Sequence, residues 1–145
     1  MHESDSVPVT SRAELLRLAG TFPWLPPLEV GTGWAALLWD MAEDLEDLFG
    51  RSALIEGRAG LHEIRARHGC LRIAGSKPAG WEPRQEEGLR VILGRAEERA
   101  ACTCERCGRR GTTAVHNGRW TTLCIWHHAA AAERARRPGS PLRGV

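Results

Sequence analysis

Between Thr32 and Gly50 apolar residues return at helical spacing: Trp34, Leu37, Leu38, Met41, Leu45, Leu48 and Phe49. Asp40, Glu43, Asp44, Glu46 and Asp47 fall mostly on the opposite side. This pattern predicts an amphipathic helix over 32–50, apolar face inward and acidic face outward. A shorter helical run, SRAELLRLAG (11–20), precedes it, with Ser11 and Glu14 at capping-box spacing. Pro23, Pro26 and Pro27 forbid helix between the two. A third helix is predicted over 82–101, with Pro83 in its first turn and Leu89, Ile92, Leu93, Ala96 and Ala100 as its buried stripe. Gly88 and Gly94 each weaken that helix by about 1 kcal/mol relative to Ala.

The period changes from helical to alternating in LHEIRARHGCLRIAG (61–75). With His68-Gly69 as a two-residue turn, Arg67 pairs Cys70, Ala66 pairs Leu71, Arg65 pairs Arg72 and Ile64 pairs Ile73. Ile64, Ala66, Leu71 and Ile73 then share one face, and Arg65, Arg67, Cys70 and Arg72 share the other. A hairpin follows from that separation. It also sets Arg65 against Arg72, and the repulsion calls for an acidic neighbour, either the acidic helix, a partner or a phosphate.

At 145 residues the chain is long enough to bury a core of its own. No run of eighteen apolar residues occurs, so no membrane-spanning helix is expected. The polar start MHESDSVPVT is unlike a secretory signal, which makes the cytoplasm the expected location. Charge is split unevenly. Residues 1–98 hold 11 Lys+Arg against 16 Asp+Glu, a net of −5, while 99–145 hold 9 Arg against 2 Glu, a net of +7. A basic half of this kind suits contact with nucleic acid, or attraction to the acidic half.

Four of the five cysteines lie within 102–124. An odd number, clustered in a chain expected in a reducing compartment, favours a metal over disulfides. Cys104 and Cys107 stand two residues apart, and Cys124 and His127 repeat that spacing. Three thiolates and one imidazole make a closed tetrahedral zinc site. Between the pairs, Asn117-Gly118 is a strong hairpin signal that sets Val115 against Trp120 and Thr113 against Thr122. IWHHAAAAERARR then reads as helix up to Pro138. Knuckle, hairpin and helix in that order make a treble-clef-like finger. His128 is an alternative to His127 as the fourth ligand, and Cys102 an alternative sulfur. The cage carries a net charge of about −1, which Arg106, Arg109 and Arg110 are placed to offset.

Catalysis has less support. Neither an H-E-x-x-H nor an H-x-E pattern is present, and four good ligands leave no open coordination position. Metal-dependent nucleases of the HNH type share the treble-clef scaffold, and His116, Asn117 and His128 echo their residues. However, His116-Asn117 is taken up by the tight turn, and no aspartate follows residue 47.

The succession GWAALL (33–38), EIRARHGCLRI (63–73), CERCG (104–108) and RWTTLCIWH (119–127) resembles a family of small uncharacterised bacterial and phage proteins. In that family a GW-x-x-LL helix precedes a KEKFGGLRFY-like hairpin and a terminal CExCG…W-x-x-LC-x-x-H finger. The likeness spans residues 33–128; it is close in the finger and loose in the hairpin. It implies Cys104, Cys107, Cys124 and His127 as zinc ligands and brings no established activity.

The expectation is therefore an α+β chain: a helix-helix-hairpin-helix body (1–101), a treble-clef-like zinc finger (102–137) and a flexible tail (138–145). The expected role is a non-enzymatic binding module holding structural Zn2+. Its contact residues for nucleic acid or a partner would be Arg106, Arg109, Arg110, Arg119, Arg134, Arg136 and Arg137 of the finger, with Arg65, Arg67 and Arg72 of the hairpin. The alternative is a protein-directed inhibitor, an immunity, antitoxin or counter-defence protein, that covers a basic site with Asp40, Glu43, Asp44 and Asp47.

Overall fold

The computed structural model describes residues 12–76 and 80–137. The Ser11 cap and the 138–145 tail expected above lie outside the described residues. The chain is α+β. In order it forms α1 (Arg12–Thr21), β1 (Leu28–Glu29), a 3₁₀ turn (Thr32–Trp34), α2 (Ala35–Phe49), α3 (Arg51–Ile55), β2 (Leu61–Arg67), β3 (Cys70–Gly75), α4 (Pro83–Ala100), β4 (Thr112–His116), β5 (Arg119–Leu123) and α5 (Ile125–Arg136).

Helix α2 is the centre of the body. Leu37, Leu38, Met41, Ala42 and Leu45 are buried along its inner face. They meet Leu15, Leu18 and Phe22 from α1 and its end, Leu54 from α3, Ile64 and Leu71 from the hairpin, and Leu89, Ala96 and Ala100 from α4. The aromatic residues close this core by edge contacts, with the Phe22 and Trp39 ring centres 5.0 Å apart. Helix α4 begins with a capping box in which the Glu82 N–H donates to the Gln85 side chain at 3.1 Å, and Asp40 of α2 holds Arg99 of α4 at 2.7 Å.

Helix α2 starts three residues later than its periodicity predicts, because Thr32–Trp34 winds as a 3₁₀ turn. Two elements escape the sequence pattern altogether. Strand β1 adds two residues parallel to β2, pairing Leu28 with Ile64 and Glu29 with Arg65. Two residues carry no periodicity, and the adjacent prolines mask the rest. Helix α3 is split from α2 by Gly50, whose φ of +88° ends the first helix.

The two hairpins adopt the registers expected from their turns. Arg67 pairs Cys70, Ala66 pairs Leu71, Arg65 pairs Arg72 and Ile64 pairs Ile73. Val115 pairs Trp120 and Thr113 pairs Thr122. Both turns carry positive φ at both centres: His68 at 55° and Gly69 at 79°, Asn117 at 53° and Gly118 at 78°. This is the backbone twist that two-residue hairpins require. Within the chain the acid beside Arg65 comes from the strand itself and not from the acidic helix. Glu63, two residues back on the same face of β2, accepts from Arg65 Nη1 at 3.0 Å.

The 102–137 segment is seated on the body by its knuckle and by its hairpin. The Gly33 N–H donates to Glu105 O at 2.8 Å, and the indole N–H of buried Trp34 donates to Thr103 O at 2.9 Å. A Cβ on Gly33 would lie 2.6 Å from the Cys107 and Gly108 nitrogens, so only glycine permits this approach. At the second contact, the Thr122 hydroxyl donates to Gly69 O at 2.6 Å, which leaves Thr113 to donate to Thr122 at 2.7 Å.

Candidate metal centre

The knuckle is built by backbone bonds around Cys104. Its N–H donates to Arg109 O at 2.7 Å, and the Gly108 N–H returns to Cys104 O at 3.0 Å. Gly108 has a φ of +84°, which closes this turn. Strands β4 and β5 then bring the chain back, and Cys124 caps the start of α5. One helical turn later His127 points the same way as Cys124.

The ligand atoms of Cys104, Cys107, Cys124 and His127 all lie within 4.8 Å of one another. His127 Nδ1 is 3.4 Å from the Cys104 sulfur and 3.2 Å from the Cys124 sulfur, and the Cys107 and Cys124 sulfurs are 3.7 Å apart. Cys104, Cys124 and His127 are buried. Three soft sulfurs and an imidazole nitrogen around a common centre could hold a metal ion.

The surroundings prepare these groups unevenly. Burial, aided by the neighbouring Cys104 and Cys124, pushes the Cys107 thiol up to about 12. Burial also acts to raise Cys124, but the His127 backbone N–H and the adjoining thiols outweigh it and hold Cys124 below its ordinary value. His127 is lowered by burial and by Arg106 and Arg134, which favours the neutral ring that a ligand must be. The Arg106 N–H points at the Cys104 sulfur from 3.4 Å.

The structure places the two alternative side chains, His128 and Cys102, outside this cluster. His128 Nε2 donates to Thr112 O at 2.7 Å, so its Nδ1 is the acceptor for His116 Nε2 at 2.9 Å. His128 is thus committed to the β4 side of α5 and lies outside the cluster. Cys102 is exposed at the end of α4, with its sulfur near the Glu98 and Arg99 carbonyls. Cys70 is an exposed strand residue.

The ten candidate contact arginines are not one surface. Arg65, Arg67 and Arg119 line a common groove of about 470 Å³ between the two hairpin turns. Arg72 is exposed on β3. Arg109 lies over the Trp126 ring, 4.5 Å from its centre, and Arg110 bridges to Thr103 across the knuckle. Arg106, Arg134 and Arg137 are exposed, and Arg136 pairs with Glu133 at 2.7 Å. On α2 the acidic row is partly engaged. Asp40 holds Arg99, and Glu43 accepts the Trp39 indole N–H at 3.1 Å, while Asp44 and Asp47 are exposed.

Sequence reasoning missed Gly33 and Trp34 as the seat of the knuckle. The signal was the GW that opens GWAALL (33–38), which marked the resemblance but not the contact. Comparison with family models, with curated proteins and with solved structures returned no match for this chain.

Proposed function

We infer that this chain is a zinc-stabilised, non-enzymatic binding module whose basic finger contacts nucleic acid. The convergence of three sulfurs and one imidazole nitrogen within 4.8 Å carries the zinc reading. A tetrahedral zinc with ordinary bond lengths sets sulfurs about 3.8 Å apart and sulfur about 3.5 Å from nitrogen. The separations of 3.7, 3.4 and 3.2 Å lie close to those values. Four protein ligands fill the tetrahedron, whereas a hydrolytic zinc keeps one position for water. The metal's role on this reading is to hold a treble-clef arrangement of knuckle, hairpin and helix.

The partner is argued from charge. Residues 99–145 carry a net +7, and exposed Arg106, Arg110, Arg119, Arg134 and Arg137 extend this charge over the finger. Such a surface binds polyanions with an affinity that falls steeply with salt. Native mass spectrometry should find one zinc per chain. A mobility shift with mixed nucleic acid should weaken as salt rises, and a flat salt response would count against the nucleic-acid reading.

A further inference from the structure

The groove between the two hairpin turns joins residues far apart in sequence. Arg65, Arg67 and His68 come from β2 and its turn, Glu105 from the knuckle, and Arg119 and Trp120 from β5. Thr122 ties the finger hairpin to Gly69 beside the groove at 2.6 Å. Its charge is not internally balanced. Arg65 shares its Nη1 with Glu63, but its Nε is buried with no hydrogen-bond partner among the described residues. Arg67 is exposed and makes no ion pair among the described residues. Glu105 accepts the Thr122 N–H at 3.0 Å and is also attracted to Arg119, so the groove's lining keeps an excess of positive charge, three arginines against one carboxylate.

Beside these cations Trp120 is 52% exposed, and its cross-strand neighbour Val115 is 46% exposed. Neither side chain gains much by burial against the other. An indole left open next to guanidinium groups offers a flat stacking surface at the edge of an anion site. This is the pairing used by proteins that bind single strands, where bases stack on aromatic rings while cations follow the backbone. A duplex has no free base face to offer.

We propose that this groove takes single-stranded nucleic acid, with one base stacked on Trp120 and the flanking phosphates held by Arg67 and Arg119. The assignment rests on the nucleic-acid reading above and adds the strand form and the contact surface. The test is fluorescence polarisation of the metal-loaded chain with a labelled oligonucleotide of about twelve nucleotides, single-stranded and as a duplex, across a salt series. The single strand should bind more tightly than the duplex. Trp120→Ala should weaken single-strand binding roughly 5- to 150-fold, and Trp120→Phe should keep most of it. Arg67→Ala and Arg119→Ala should each reduce the salt slope by about 0.7. Metal content and melting temperature, measured for every variant, separate lost contacts from lost folding, and Trp120→Phe covers a loosened hairpin.

Tighter binding of the duplex would overturn the groove assignment. So would a single strand that ignores the Trp120 and Arg67 changes but is lost on combined Arg134→Ala, Arg136→Ala and Arg137→Ala; the broader nucleic-acid reading would then survive. No binding of either form at low salt would overturn both.

Discussion

The body and the finger reach a fixed shape by different means. Among the described residues the body buries seventeen side chains in one continuous core, from Leu15 to Ala100. The finger's own cluster contains three buried residues, Cys104, Leu123 and Cys124, and two of these are candidate ligands. A core of that size cannot offset the entropy of ordering some thirty residues. The finger therefore depends on what crosses it: the Cys/His cluster, which could hold a metal ion, on one side and the hydrogen bonds to Gly33, Trp34 and Gly69 on the other. Small domains commonly solve the problem with a metal, and here a larger neighbour helps.

The sharpest way to separate the two regions is to remove the metal. Structural zinc contributes about 10–16 kcal/mol in small finger peptides. Chelation, or Cys124→Ser, should release the finger while leaving the body folded. Hydrogen exchange should show β4 and β5 amides losing protection while those of α2 keep it. Equal loss in both regions would mean that they form one cooperative unit.

The converse cut is Leu45→Ala, at a fully buried position of α2. It should cost about 2–5 kcal/mol by chemical denaturation, with metal stoichiometry unchanged under native conditions. Gly33→Ala tests the seam. Its methyl would fall against Cys107 and Gly108, so a loss of about 3 kcal/mol is expected, concentrated in finger protection. Asp40→Asn should matter least. Its pair with Arg99 is about half exposed on both sides, so a change of about 1 kcal/mol or less is expected. Because Asp40 also belongs to the acidic row, this variant further tests whether that row serves stability or a partner.

Much of this comparison was legible beforehand. The inner face of α2 could be read from Trp34 to Phe49, because burial against one core imposes helical spacing. Both hairpin registers followed from their turns, since a positive-φ pair at His68-Gly69 or Asn117-Gly118 leaves one closure that separates apolar from polar residues. The two ligand pairs were visible because one ion demands close sulfurs on tight turns. The short elements β1 and α3 were not, because two and five residues are too few to show a period. Glu63 is the counter-ion to Arg65 because alternate residues of a strand share a face, a pairing that the hairpin's cross-strand register does not display.

What the amino-acid order determined alone was local: helix faces, turn types, and four side chains, at the right spacing, that could hold a metal ion. Each depends on interactions within a few residues or on a turn that closes one way. What only the tertiary structure decided was relational. It set His127 and not His128 among the three cysteines, with His128 bonded to Thr112 and His116. It gave the Gly33-Trp34 pair its purpose, because the knuckle approaches that backbone too closely for any Cβ. It also brought Arg65 and Arg67 beside Arg119 and Trp120, residues more than fifty positions apart in sequence. Such juxtapositions arise when separately folded hairpins pack together, and no local pattern encodes them.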